Sequence, residues 1–264
     1  MFYDYHMHSS FSNDSKTDME EMVKKSIELG LNEICFTDHV DYDLDTDFDW
    51  GIDYDKYFER LNFLQNKYHK EISIKKGIEL GLQKQITQKC SEDACKYPFD
   101  FIIGSTHRFD KLDAEDKRHY ESVSIQEACE HYFEQELLNL KGFKNCDAVG
   151  HMDFVLRYCP GAVEYFSYSK FADVLDEILR EIINSGRGLE CNTSKFVAKN
   201  MINPNLEIFK RYFELGGEIV TFGSDAHTPN RIGEGFNEIS EKLKSIGLKY
   251  YAVYRNHVPE FLKV

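Results

Sequence analysis

The chain has 264 residues, room for one large domain or two small ones at ~100 to 200 residues each. Its 42% apolar and 14% aromatic content excludes intrinsic disorder, which has little to bury. Lys and Arg number 32 against 46 Asp and Glu, a formal charge of −14, which argues against non-specific binding to nucleic acid or an anionic membrane and favours a small-molecule partner. An acidic protein of this kind takes an anionic substrate only where something local and positive overrides its overall field.

Met1-Phe2-Tyr3-Asp4-Tyr5 passes straight into His6 without a basic and then apolar leader, and no apolar run approaches ~18 residues, so a soluble, cytoplasmic protein is expected. Seven cysteines, scattered and without a Cys-x-x-Cys pair, suggest reduced thiols rather than a disulfide framework or a thiolate zinc site. The first strand is expected over Phe2 to Met7. A capping-box pattern, Thr17-Asp18-Met19-Glu20, leads into a helix with Met19, Met22, Val23 and Ile27 on one face, ending at Gly30. Strands are then expected at Glu33 to Thr37, Ile72 to Leu80, Phe99 to Ile103, Cys146 to Gly150, Gly188 to Asn192 and Glu218 to Phe222. Helices alternate with them at about Tyr54 to His69, Gln83 to Cys95, Ser124 to Lys141, Ser169 to Ser185, Pro204 to Leu215 and Phe236 to Ser245, before a run Lys249 to Tyr254. Seven β-then-α units without a linker predict a single α/β domain over residues 1–264, a closed parallel barrel. An open doubly wound sheet has the same local pattern, but neither Gly-x-Gly-x-x-Gly nor a P-loop is present to support its nucleotide-binding form.

Seven aspartates crowd Asp41 to Asp55 around Trp50-Gly51. The glycine position and the closing glutamate of a calcium loop are both missing, and a solvated loop is expected. The informative residues sit at strand ends. His6 and His8, two apart, share a face. His39 follows the second strand, Glu79 ends the third, His107 follows the fourth, His151 the fifth, and Asp225 and His227 the seventh. In a barrel these ends form one face, so six of the ten histidines would meet Glu79 and Asp225 in one cup. His69, His119, His131 and His257 fall elsewhere and are expected at the surface or in packing. Imidazole and carboxylate without thiolate suit zinc, iron or manganese, and eight candidates exceed one tetrahedral ion, so at least two metals are implied. Two or more such ions can hold a bridging hydroxide and clamp the attacked group, which is hydrolytic chemistry best matched to phosphoesters.

His6-Met7-His8, Thr37-Asp38-His39, Gly77-Ile78-Glu79, Ser105-Thr106-His107, Gly150-His151 and Ser224-Asp225-Ala226-His227 resemble, in order, the motifs of the PHP (polymerase and histidinol phosphatase) metallophosphoesterases. Phe11-Ser12-Asn13-Asp14-Ser15, Glu33 to His39, Gly150 to Phe154 and Leu189-Glu190-Cys191-Asn192-Thr193-Ser194 are similar to the stand-alone histidinol-phosphatase branch. The resemblance implies a distorted TIM-like (β/α)7 barrel with two to three divalent ions at the C-terminal face of its strands. It assigns His6, His8, Glu79 and Asp225 to one metal, Glu79 as a bridge to a second held by His107 and His151, and Asp14, His39 and His227 to a third. The implied reaction is hydrolysis of L-histidinol phosphate to L-histidinol, a step of histidine biosynthesis, by a metal-bridging hydroxide held by Glu79 and Asp225. Three divalent ions against three carboxylates and that hydroxide leave the cup about two charges positive, a match for a phosphate dianion. Arg157 and Arg231, just past two of the motifs, could fork onto phosphate, or form surface salt bridges. A histidinol tail would be cationic, and the aspartates after His39 could receive it. Competing readings are another PHP phosphatase, acting on nucleotides or phosphotyrosine, an amidohydrolase-like barrel, and a non-catalytic metal-binding regulatory module.

Overall fold

The computed structural model describes residues 3–42 and 51–264. Four-residue strands buried at every position open the chain, β1 at Asp4–Met7 and β2 at Glu33–Phe36, followed by a short β3 at His39–Val40 and the long β4 at Ser73–Gly81. Phe101–Ser105 forms β5, Arg108–Phe109 and Leu112–Asp113 a small antiparallel hairpin (β6, β7), and Ala148–Val149 is β8. Gly188–Asn192 (β9) and Val220–Gly223 (β10) complete the barrel strands, and Tyr250–Arg255 (β11) pairs antiparallel with Val258–Lys263 (β12). The main helices are α1 (Met19–Glu28), α2 (Tyr54–Tyr68), α3 (Thr87–Lys96) and α4 (Ile125–Gly142). Then come the short α5 (Ala162–Tyr165), α6 (Ala172–Asn184), the short α7 (Phe196–Lys199), α8 (Leu206–Glu214) and α9 (Phe236–Ile246).

Each helix buries one stripe, as its sequence period requires. In α6, Leu175, Ile178, Leu179 and Ile182 go inward, and in α8, Ile208, Phe209 and Tyr212. The expected Thr17 capping box is not used. Asp18 caps α1 instead by accepting the Glu20 N–H, and the Thr17 hydroxyl donates to the His227 carbonyl at 3.0 Å, tying the helix entry to the far end of the chain. A capping box does form at Ser124 and Glu127, where α4 begins.

The strands run parallel in the order β1-β2-β4-β5-β8-β9-β10, with β3 beside β4. The seam between first and last is bridged by backbone: the Asp225 N–H donates to the His6 carbonyl at 2.7 Å and the His8 N–H to the Ala226 carbonyl at 2.9 Å. The result is a nearly closed seven-strand parallel barrel wrapped by helices, as expected, and not an open sheet. The unforeseen β11–β12 hairpin lies across the N-terminal ends of the strands, where the Tyr254 hydroxyl donates to the Asp147 carbonyl and Tyr254 packs on Phe101. Among the described residues no helix is long and apolar enough to cross a membrane. Asp43, Asp45, Asp47, Asp49 and Trp50 of the Asp-rich segment lie outside the described residues.

Candidate metal centre

Strand register delivers the candidates to one place. His39 of β3 pairs directly with Glu79 of β4, so the sheet itself sets imidazole beside carboxylate. His6 lies in β1 with His8 one residue beyond it, His107 and His151 follow β5 and β8 by two residues, and Asp225 and His227 follow β10. Asp14 comes from the loop before α1. His6, His8 and Glu79 are fully buried. His69, His119, His131 and His257 are elsewhere, paired with the Asn66 carbonyl, the Phe109 ring, Asp110 and Asp147 respectively.

Glu79 is the hub. Its Oε2 lies 3.0 Å from His6 Nε2 and 3.0 Å from His39 Nδ1, while its Oε1 lies 3.1 Å from His107 Nε2 and 3.0 Å from His151 Nε2. The Ser105 hydroxyl donates to Oε1 at 2.6 Å. One carboxylate therefore serves two separate pairs of imidazoles. Asp225 Oδ1 is 3.3 Å from His8 Nε2 and 3.8 Å from His6 Nε2, and Asp14 Oδ2 is 2.9 Å from His227 Nε2 and 3.6 Å from His39 Nε2.

Four of the outward nitrogens are tied down, while the buried His151 Nδ1 has no partner among the described residues. His6 Nδ1 lies 2.5 Å from Glu190 Oε1, His8 Nδ1 3.1 Å from the Ser12 hydroxyl, His107 Nδ1 3.1 Å from Asp41 Oδ1, and His227 Nδ1 3.0 Å from the Asp225 carbonyl. A ring that donates through Nδ1 presents a lone pair at Nε2. Asp41 reaches His107 because Gly81 has no side chain: a Cβ there would sit 1.8 Å from the Asp41 carboxylate. Asp41, expected in a loop able to receive a cationic substrate tail, is thus buried and already bonded to His107.

Inward, the donors face one another. His6 Nε2 and His8 Nε2 are 3.0 Å apart, and the His8 ring stacks between His39 and His227 at 4.2 Å from each. Burial, then the neighbouring His227 and His39, holds His8 well below the usual imidazole value, which keeps its lone pairs free. Burial would raise Glu79, but His6, His107 and His39 hold it well below the carboxylate range; Asp225 is lowered in the same way, by His6 and His8. Against the burial that would lower them, neighbouring carboxylates raise His6 (Glu79 first), His107 (Asp41 first) and His227 (Asp14 first, to about 9), so these rings hold protons that a divalent cation would displace; once displaced, the imidazole nitrogens and ionised carboxylates form a set that divalent cations fit. Among the described residues three groups have ligand atoms mutually within 4.8 Å: His6-His8-Asp225, His39-Glu79-His107 and His8-His39-His227. These overlap, so the geometry permits more than one division of ligands among ions.

Residues 4–194 match the PHP domain family. The chain belongs to that family. It is 32% identical to "Probable histidinol-phosphatase" of Clostridium acetobutylicum, over 94% of this chain and 95% of that one, and 29% identical to "Histidinol-phosphatase" of Lactococcus lactis, over 95% and 93%. The crystal structure of the Lactococcus lactis histidinol phosphate phosphatase, complexed with zinc, L-histidinol and phosphate, superposes with a TM-score of 0.89 at 28% identity, covering 98% of each chain.

Above the PHP residues opens a cavity of about 450 Å³ lined by both arginines singled out in the sequence, within the range of small-molecule sites. Arg157 is held by Asn203 Oδ1 at 2.8 Å and Asn192 Oδ1 at 2.9 Å, with Nη1 3.4 Å from Asp225 Oδ2. It is therefore buried and positioned, not a surface ion pair. Arg231 donates to the Ser194 carbonyl and pairs with Glu234. Lys195, which carries no motif, lines the same wall; burial, then the nearby Arg157, holds its amine below the usual value. The cavity is also lined by Asp41, Asp113 and Glu115, and by Arg108, which pairs with Asp113 at 3.4 Å. Asp113 and Glu115 were not legible as site residues, because the β6–β7 hairpin that carries them leaves no strong strand pattern.

Proposed function

We propose that this chain is a metal-dependent phosphomonoester hydrolase that converts L-histidinol phosphate and water to L-histidinol and phosphate. The observation that carries the reading is Glu79, whose two oxygens each face a separate pair of imidazoles beneath an open cavity. The names of the relatives and the histidinol and phosphate bound in the Lactococcus lactis structure support the substrate. In this reading His6, His8, Glu79 and Asp225 would hold one divalent ion, Glu79, His107 and His151 a second, and Asp14, His39 and His227 a third, with zinc, iron or manganese the candidates. Bound, such ions supply Lewis acidity to phosphate oxygens and lower the pKa of water.

The protein's own part is orientation. Arg157, locked by two asparagine carbonyls, presents its guanidinium along the cavity wall to a phosphate oxygen, and Lys195 and Arg231 extend that positive wall. Glu79 and Asp225 border the position from which water attacks phosphorus in line with the leaving oxygen. Asp113 and Glu115, which line the same cavity, take the ammonium and imidazole of the tail. The test is phosphate release from L-histidinol phosphate, sugar phosphates and nucleotides after reconstitution with zinc, iron or manganese. A preference of at least ~100-fold in kcat/KM for L-histidinol phosphate, about 2.7 kcal/mol, is expected. Equal rates across the panel, or a preference for nucleotides, would refute the substrate.

A further inference from the structure

We infer that Glu190 is a positioning residue that couples two of the candidate metal-ligating histidines, His6 and His151, an inference that rests on the metal-dependent reading above. Glu190 lies in β9, and none of the metal-ligand motifs includes it. Its carboxylate is buried, with Oε1 2.5 Å from His6 Nδ1 and Oε2 accepting the His151 backbone N–H at 2.8 Å. Asn192 Nδ2 lies 3.3 Å from both oxygens. To reach His6 on β1, the side chain crosses β10 above Gly223, where a Cβ would lie 2.3 Å from Glu190 Oε1 and 2.4 Å from His6 Cβ. The missing side chain at Gly223 is what lets β9 touch β1 across an intervening strand.

The two contacts have different consequences. At His6 the carboxylate fixes the ring with its proton on Nδ1, leaving Nε2 to face Glu79, His8 and Asp225. At His151 it anchors the backbone of the loop whose ring faces the other oxygen of Glu79. Both partners are donors, and a carboxylate accepts from both at once. A neutral amide cannot: turned to accept from His6, it points NH2 at the His151 N–H, and turned to accept from His151, it points NH2 at His6 and forces the ring proton onto Nε2.

The experiment titrates wild-type and Glu190→Gln protein, stripped of metal, with zinc against a chromophoric chelator, and follows phosphate release as zinc is raised. Glu190→Gln is expected to bind zinc ~10- to 100-fold more weakly and to regain most of its kcat at saturating zinc, with KM for the phosphate ester little changed. Zinc affinity and kcat equal to wild type would overturn the inference. So would a kcat loss that excess zinc does not rescue in a variant with wild-type near-UV circular dichroism. If the variant does not fold, the wild-type zinc-loaded protein decides by nitrogen-15 NMR: His6 protonated at Nδ1 upholds the inference, and His6 protonated at Nε2 overturns it. A wild-type protein that binds zinc but releases no phosphate defeats the functional reading while leaving the comparison of affinities intact.

Discussion

The two ends of the barrel each bury a carboxylate and treat it in opposite ways. At the N-terminal end, Glu33 accepts from the Tyr5 hydroxyl at 2.5 Å, the Ser73 hydroxyl at 2.7 Å and Arg255 at 2.7 Å, with Lys75 at 3.6 Å. Every partner is a fixed donor or a permanent cation. At the C-terminal end, Glu79 is surrounded by five imidazoles, His8 the farthest at 3.6 Å, and one hydroxyl, and among the described residues no lysine or arginine pairs with it. A charge neutralised inside the chain contributes to stability and has nothing left to offer a ligand. A charge surrounded by imidazoles, whose protons a metal can displace, is a seat for a mobile cation. The first arrangement is closed by the β11–β12 hairpin, and the second lies open to the cavity.

The contrast breaks most visibly at Glu79. Glu79→Gln should lose bound metal and lower kcat/KM on the order of 10³-fold, about 4 kcal/mol, as read by elemental analysis and phosphate release. Full turnover by metal-free protein would contradict it. Glu136 in α4 sharpens the rule from a third position: it is buried, and neither carboxylate oxygen meets hydrogen-bond geometry with a described partner. Burial pushes it up to about 7, opposed by the Thr106 hydroxyl and Arg187. Because its folded value is raised, its favourable contribution is complete below the unfolded value of about 4.5 and is lost as pH rises through about 7. Glu136→Gln should remove that decline and, at pH 8, exceed wild type by up to about 3 kcal/mol in urea denaturation; an unchanged pH profile would show that the carboxyl is satisfied.

At Arg157, alanine should weaken use of the phosphate ester ~10- to 100-fold in kcat/KM with metal content preserved, whereas loss of metal would make the residue part of the cation seat itself. The smallest effect belongs to the closed end. Glu33→Gln should cost about 1.5 kcal/mol of stability and leave metal content and kcat at wild type. Reduced metal binding there would mean that the two ends are coupled.

Much of this was written locally. Short β-rich runs between stretches of helical period exposed the strands, and His6 with His8, two apart, needed no tertiary information to be placed on one face. Glu79, His107, His151 and Asp225 were legible because each stands at the end of an apolar run, where a barrel collects its polar residues. Glu190 was not, since a carboxylate inside a strand has no local mark that separates a structural acid from one reaching two strands away. Lys195 sits in a loop whose neighbours in space, Arg157 and Arg231, come from other segments. The C-terminal hairpin was half legible: Tyr250–Arg255 lies in a continuous apolar and aromatic run, but Val258–Lys263 is largely exposed and its pattern is weak.

The sequence by itself determined the alternation of strand and helix, the strand-end positions of the imidazoles and carboxylates, and so the kind of chemistry they can do, because those follow from local periodicity and side-chain type. Tertiary structure alone decided that Glu79 divides its two oxygens among imidazoles from four other strand ends, that Glu190 reaches His6 through the gap at Gly223, and that Arg157, Lys195, Asp113 and Glu115 line one cavity. Those are relations among strands separated by up to two hundred residues. The barrel's register and closure fix them, and no local pattern encodes a distance across it.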